Sequence, residues 1–265
     1  MHGLSVLRGE DILTSSGEYR EEFPMEVTLD SIRDIQIYQS KTGYRFSVDA
    51  LLLFDFVDLK TARSIADLGA GSGIVGILLA KKYLHATVTL FEIQPGLASL
   101  AGQNIRINSM EDRMNVVNAD ITHWSSHQSF LSAHAGFDLV VANPPFRKWK
   151  SGRINIDEER AIARHEIMLN LMGLVEAASC ILKPKGRFCV VHHPNRLVEL
   201  MDILGRKGIE PKRLRFVHSD RNSEAKIVLL EAVRGGRQGM RIASPLYIYD
   251  EQHQYTNEMK KLFNP

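Results

Sequence analysis

From about Ser64 onward, short apolar runs alternate with longer segments in which apolar residues recur at helical spacing. A short run buried on both faces suits a parallel strand, and the helical spacing suits a helix with one side on the core. Ser64–Asp67, Thr87–Phe91, Asn115–Asn118, Asp138–Ala142 and Arg187–His192 predict strands. Between them, Ile74–Tyr83, Pro95–Ile107, His165–Leu182 and Arg196–Lys207 predict helices, and Lys183-Pro184-Lys185-Gly186 predicts a helix stop. Strands alternating with helices call for a mostly parallel sheet with helices on both faces. The last two runs, Arg213–His218 and Lys226–Val233, are joined by Ser219–Glu224 with no helix between, which predicts an antiparallel pair. Upstream, Asp34–Asp49 and the apolar Ala50–Val57 predict a strand-and-helix lead-in, and the residues up to about Asp30 predict loose structure. The expected division is an N-terminal lead-in over 1–33, a main domain over 34–236, and a tail over 237–265 packed on that domain.

Composition narrows the class. Of 265 residues, 44% are hydrophobic and 24% charged, proportions that suit a globular chain and neither a disordered nor a membrane one. The apolar runs, such as Ala50–Phe54, fall far short of the roughly 20 residues that cross a bilayer. The N-terminus carries Glu10, Asp11, Glu18, Glu21 and Glu22 and lacks the apolar stretch of a signal peptide, so a cytoplasmic protein with no membrane contact is expected. The two cysteines, Cys180 and Cys189, lack Cys-x-x-Cys spacing and are expected to be buried small hydrophobes. His192 and His193 are neighbours on a strand and point to opposite faces, so no metal is expected.

Chemistry is concentrated at two strand ends. Asp67-Leu68-Gly69-Ala70-Gly71-Ser72-Gly73 joins a strand to a helix, and glycines there allow a tight turn and close approach of backbone to a ligand. Gly71-Ser72-Gly73-Ile74-Val75-Gly76 also satisfies the dinucleotide pattern G-x-G-x-x-G, so a nicotinamide-dependent oxidoreductase is a rival reading. Glu92, ending the next strand, suits ribose hydroxyls, which both cofactor types present. Asn143-Pro144-Pro145-Phe146 follows a third strand and is stiff, because each proline fixes its own φ and restricts the residue before it. Such a turn can simply end a strand. It can also hold the Asn143 side-chain oxygen and the Pro144 carbonyl on one amino group while Phe146 offers a face for stacking. Methyl transfer to an exocyclic amine needs that alignment more than it needs a strong base.

Net charge is only +2, which by itself does not point to nucleic acid. Arg147, Lys148, Lys150 and Arg153 nevertheless cluster beside this motif with Trp149 among them, and no acid intervenes before Asp157. A basic run is ordinarily a solvated face. Next to an acceptor site it also suits phosphate contacts, with the aromatic face stacking on a base.

The glycine turn and the Asn-Pro-Pro-Phe motif resemble the tRNA1(Val) adenine-N6 methyltransferase family. The resemblance extends over Gln39–Leu53, Ala163-Arg164-His165-Glu166, Arg215-Phe216-Val217-His218 and Pro245-Leu246-Tyr247-Ile248-Tyr249, and so covers most of the chain. It implies an α/β, Rossmann-like class I methyltransferase fold: a mostly parallel seven-stranded sheet with a final antiparallel strand pair and helices on both faces. It implies S-adenosylmethionine as cofactor and the N6 of a tRNA adenine as acceptor, with Asn143, Pro144 and Phe146 catalytic. By the same resemblance Phe46, Ser47 and Asp49 help close the cofactor pocket, Asp67 lies near the methionine end, and Asp120 accepts from the adenine amino group. Gly69, Gly71, Gly73, Glu92 and Asn143 complete the cofactor set, and Pro145, Arg147, Lys148, Trp149, Lys150 and Arg153 form the substrate set. Read from residues alone, Asp120 equally suits a turn or cap, and Asp49 an N-cap for the apolar segment that follows. Related enzymes carry the tetrapeptide for guanine N2 in ribosomal RNA, and release-factor glutamine methyltransferases use a variant ending in Tyr. The motif thus specifies a planar amino acceptor, and a non-catalytic RNA-binding module that keeps the fold is a further reading. Nothing in the sequence fixes an oligomeric state.

Overall fold

A computed structural model describes residues 5–6, 26–41, 48–121, 136–144 and 171–263. Its strands are β1 (Ser5–Val6), β2 (Val27–Ile32), β3 (Ile35–Ser40), β4 (Ser64–Leu68), β5 (Thr87–Glu92), β6 (Met114–Asn118), β7 (Phe137–Ala142), β8 (Leu182–His192), β9 (Ile209–His218), β10 (Ala225–Arg234), β11 (Arg241–Ile242) and β12 (Leu246–Tyr247). Its α-helices are α1 (Val48–Phe56), α2 (Ile74–Lys82), α3 (Pro95–Ile107), α4 (Leu171–Ile181), α5 (Leu197–Arg206) and α6 (Asn257–Phe263).

Seven long strands form the body of one sheet in the order β6-β5-β4-β7-β8-β10-β9. Neighbours from β6 through β8 pair in parallel, and β10 runs antiparallel to both β8 and β9. The expected parallel sheet with a closing antiparallel pair is therefore present. Two-residue strands extend it: β1 beside β6, and β11 and β12 beside β9. Apolar side chains alternate between its two faces. Ile65, Val88, Leu90, Leu139, Val141 and Val191 join the core shared with α1, α2 and α3. Ala66, Phe91, Val140, Phe188 and Val190 join the core shared with α4 and α5. Burial on both faces is why these strands read as continuous apolar runs.

The path of the chain positions the site. From β4 it steps outward to β5 and β6, then returns to lay β7 on the other side of β4. Connections leaving β4 and β7 in opposite directions open a crevice at the carboxyl ends of the strands, the place where open α/β sheets bind ligands.

Several elements differ from the expectations. β2 begins at Val27, within the stretch expected to be loose, and pairs with β3 as a hairpin turned by Arg33 at φ 55°. Its half-exposed, polar-rich sequence gives little strand signal. β9 starts at Ile209 rather than Arg213, because Pro211 lies at a register shift opposite Ala232, where a proline is tolerated. Lys183-Pro184-Lys185-Gly186 does end a helix, but β8 has already begun. Leu182 pairs with Phe137 and Arg187 with Leu139, so the four residues bulge out of the ladder. Cys189 is buried as expected, whereas Cys180 is exposed. It shares the outward face of α4 with Met172 and Glu176, one helical turn apart.

Among the described residues, no helix is long and apolar enough to cross a membrane. Among the same residues, no group of three or more His, Cys, Asp or Glu is arranged to hold a metal.

Candidate functional site

Three strand ends carry the cofactor candidates side by side. Past β4, the turn holds Gly69, Gly71 and Gly73 at φ 71°, 57° and 86°, left-handed values that a Cβ disfavours. Backbone bonds fix the turn: the N–H groups of Gly69 and Ala70 both donate to Phe91 O, at 2.9 and 3.0 Å, and Gly73 N donates to Ala70 O at 2.9 Å. The next glycine, Gly76, is required by packing, since an added Cβ would lie 2.2 Å from Leu90 Cδ2. It lets α2 approach β5 closely, and with α2 the amino end that faces the turn.

Asp67 is 1% exposed, and its Oδ2 accepts from Gly76 N at 2.9 Å. This carboxyl therefore ties β4 to the first turn of α2 beneath the glycine loop. Burial pushes its pKa up to about 7, with the nearby Glu92 charge adding to the rise and the Gly76 bond opposing it. Glu92, 4% exposed at the end of β5, accepts from Gly71 N through Oε2 at 2.8 Å and from Gln94 N through Oε1 at 2.9 Å. Two backbone donors thus orient its carboxylate against the glycine loop. Past β6, Asn118 Nδ2 donates to Glu92 O at 2.8 Å and Ile93 O at 3.0 Å, which locks the end of β6 to that of β5. The half-buried Asp120 lies just beyond, next to buried Ile121.

Asn143 and Pro144 follow β7 directly. Leu68 of β4 pairs with Ala142 of β7, so Gly69 and Asn143 each sit one residue past the same rung of adjacent strands. Neighbouring strands lie about 4.8 Å apart, so the acceptor motif and the glycine turn share the switch-point crevice. Asn143 is half-buried and Pro144 buried. Asp49 falls in the first turn of α1, which begins at Val48, so it lies within the helix and not before it as an N-cap. An acid there complements the helix dipole. Phe46, Ser47, Pro145, Phe146, Arg147, Lys148, Trp149, Lys150 and Arg153 lie outside the described residues.

Three contributors escaped the sequence reading. Asn104 on α3 is fully buried and spans two elements: its Oδ1 accepts from Tyr38 N at 2.6 Å, while its Nδ2 donates to Tyr38 O at 3.0 Å and Ser72 O at 2.9 Å. One carboxamide thereby joins the β2–β3 hairpin to the middle of the glycine turn. Ser72 itself is 1% exposed, and its hydroxyl has no hydrogen-bond partner among the described residues. A buried orphan hydroxyl is costly unless something satisfies it. His192 ends β8 two residues past Val190, which pairs with Ala142, so it stands level with Pro144 on the neighbouring strand. Burial, with the nearby Arg196 charge adding to it, lowers its pKa to about 4, which keeps the ring neutral. Each of these roles depends on partners from distant elements. No local pattern announces them.

The donor set fits an S-adenosyl cofactor. Left-handed glycines leave the turn bare of side chains where a ligand would approach, the orphan Ser72 hydroxyl lies between Gly71 and Gly73, and an oriented carboxylate stands at the next strand end.

Comparison with known proteins agrees. The methyltransferase small domain family matches residues 45–206, well over half of the chain. The tRNA1(Val) (adenine(37)-N6)-methyltransferase of Porphyromonas gingivalis is 32% identical over 211 residues, covering 78% of this chain and 81% of that protein. The enzyme of the same name from a Flavobacteriaceae bacterium is 26% identical over 226 residues, covering 80% of this chain and 91% of its own. Among solved structures, protein Atu636 of Agrobacterium tumefaciens, described as a predicted O-methyltransferase, superposes with a TM-score of 0.65. It is 23% identical, covering 81% of this chain and 94% of that one, and so shares the fold.

Proposed function

The chain belongs to the methyltransferase small domain family, and from that premise we propose that it methylates the exocyclic N6 amine of an adenine in tRNA. It is an S-adenosylmethionine-dependent methyltransferase, which sets aside the nicotinamide reading of the glycine turn. The observation that carries the proposal is the rung shared by Leu68 and Ala142, which brings Asn143-Pro144 beside the glycine turn.

When bound, S-adenosylmethionine supplies an electrophilic methyl group on a sulfonium that departs as a neutral thioether. The residues of the chain have only to bind, orient and desolvate. Gly69, Gly71 and Gly73 present backbone to the cofactor, with Asp67 fixing the helix behind them. Glu92 takes the ribose hydroxyls, and Asp120 the adenine amino group of the cofactor. Phe46 and Asp49 close the pocket. Asn143 and Pro144 offer two oxygens to the acceptor amine, which turns its lone pair toward the methyl group, and Phe146 stacks on the acceptor ring. An amine methylated there would give up its extra proton to water, so the site would need no strong base, in keeping with a neutral His192. Pro145, Arg147, Lys148, Trp149, Lys150 and Arg153 hold the flanking RNA, and such a substrate puts the enzyme's work in the cytoplasm.

Adenine in tRNA is favoured over guanine or a protein amide by the P. gingivalis relative, whose name specifies adenine N6 in tRNA1(Val). The test is incubation with methyl-labelled S-adenosylmethionine and unmodified tRNA transcripts, followed by digestion to nucleosides. Label in N6-methyladenosine is the expected result. Label in N2-methylguanosine, or only in an added release-factor protein, would overturn the adenine assignment.

A further inference from the structure

Two segments singled out in the sequence, Arg215–His218 and Pro245–Tyr249, play no part in the site described above. The structure brings them together. β12 pairs in parallel with the end of β9, Leu246 opposite Val217 and Tyr247 opposite His218, and Tyr249 N donates to Ser219 O at 2.8 Å. β9 runs parallel to β7 and β8, so this junction stands on the carboxyl edge of the sheet, the edge that carries Asn143.

The registers locate it. Val190 is level with Ala142, Leu230 with Val190, and Leu214 with Leu230, so His218 overshoots the last rung of β7 by four residues. Three strand spacings sideways and three to four residues upward place the junction roughly 17 Å from Asn143. That is on the order of five nucleotides of a stacked single strand.

A cavity of about 220 Å³ opens at this junction, lined among others by Asp220, Arg221, Tyr247, Tyr249, Asp250 and Glu251. It is smaller than the roughly 300–1,000 Å³ pockets that enclose drug-sized ligands, and suits a single planar ring. Tyr249 is 37% exposed and stacks on Tyr255 at 5.3 Å with 9° between the rings, and Tyr255 stacks in turn on Phe263. The ring of Tyr249 is thus braced from behind. The Arg221 guanidinium lies 6.0 Å over the Tyr247 ring.

The charges decide the ligand. Three carboxylates against one guanidinium repel a phosphate from the cavity itself, whereas carboxylate oxygens accept from exocyclic amines and ring N–H groups. Asp220 Oδ1 and Asp250 Oδ1 already accept backbone N–H groups, which holds both carboxylates in place at the mouth.

We infer that this cavity is a second base-binding subsite, which takes one unpaired, amino-bearing nucleobase of the RNA substrate, stacked on Tyr249 and several nucleotides from the methylated adenine. The inference rests on the RNA reading of the active site. An aromatic face contributes stacking that tolerates sequence, and the carboxylates accept from the exocyclic amine of adenine, cytosine or guanine.

The test uses tRNA transcripts with 2-aminopurine placed in turn at each unpaired position around the methylated adenine. The parent enzyme should quench one position a few nucleotides from the target. Tyr249→Ala should abolish that quenching and weaken RNA binding roughly five- to hundredfold, with an unchanged salt slope and unchanged S-adenosylmethionine affinity. Tyr249→Phe should behave as the parent. No quenched position in the parent, or equal RNA affinity in Tyr249→Ala and parent, would overturn the subsite. If the parent methylates RNA while Tyr249→Ala is indistinguishable from it, only the subsite fails. If the parent neither binds nor methylates RNA, the RNA reading fails and the subsite with it.

Discussion

Asn143 occupies the first position past the last rung of β7, beside the glycine turn and ahead of a buried proline that holds its backbone. In its proposed role, orienting the acceptor amine, its contribution should appear in turnover more than in affinity. Asn143→Ala should lower kcat roughly a hundredfold or more and leave cofactor binding nearly intact, as for the loss of one preorganised polar group. Single-turnover rates alongside calorimetry would separate the two, and near-normal turnover would remove Asn143 from the mechanism. Asp67 makes a prediction of a different kind. Its folded pKa of about 7 lies above the ordinary 3.8, so the folded state favours the protonated acid. The stability this gives is complete below about pH 4 and is lost as pH rises through about 7, at close to 1.4 kcal/mol per unit between those limits. Asp67→Asn keeps an oxygen for Gly76 N but cannot ionise. Urea unfolding from pH 5 to 8 should therefore show the parent losing stability relative to this variant as pH rises. Parallel curves would mean that Asp67 titrates normally. Both residues were visible in the sequence because glycine and proline punctuation marks the strand ends on which they sit. Ser72, between two of those glycines, was not visible as an orphan hydroxyl, since burial is settled by what packs over it.

At the scale of elements, the sequence announced the pieces whose burial is symmetric and hid those whose support comes from elsewhere. β4, β5, β6 and β7 are apolar on both faces and were legible almost to the residue. The β2–β3 hairpin was half missed because it joins no other strand in the main sheet. It leans on α3, where Asn104 and Asn108 stand one helical turn apart. Each carboxamide pairs with both backbone groups of one β3 residue, Asn104 with Tyr38 and Asn108 with Gln36. The two side chains imitate a neighbouring strand along the edge of β3. Only Asn104 also reaches the glycine turn, and that difference is testable. Asn104→Ala removes the carboxamide that bonds the half-buried Tyr38 backbone and the buried Ser72 carbonyl, which should lower stability by roughly 1–3 kcal/mol. It should also weaken S-adenosylmethionine binding, with kcat at saturating cofactor changed far less. Asn108→Ala loosens the same hairpin from a more exposed position and should leave cofactor affinity unchanged. Equal cofactor affinity in both variants would reduce Asn104 to a structural bond.

For the whole molecule, the part furthest along the chain helps build the part that precedes the catalytic domain. Beyond the last long strand, α6 returns to pack against α1, with Met259 at 0% and Leu262 at 2% exposure in the same core as α1, α2 and β3. Arg33, at the turn of the β2–β3 hairpin, donates through Nη1 to Leu262 O at 3.1 Å, and Arg215 of β9 pairs with Glu258 at 2.6 Å. A seven-residue helix with two buried side chains gives no periodic signal of its own, which is why the sequence predicts a tail packed on the domain without predicting this helix. Its attachment links the hairpin, α1 and the β9–β12 edge, which should therefore open together. Leu262→Ala removes apolar volume from a closed core and should destabilise the protein by roughly 2–5 kcal/mol. Because α1 carries Asp49 at one end and packs against α6, the same change should loosen the lead-in to the candidate site. Hydrogen exchange should then show faster opening across α1 and the hairpin, with β4 through β7 protected to within the global loss of stability. Exchange accelerated only within residues 257–263 would mean that α6 frays alone and that the tail is a passive cover.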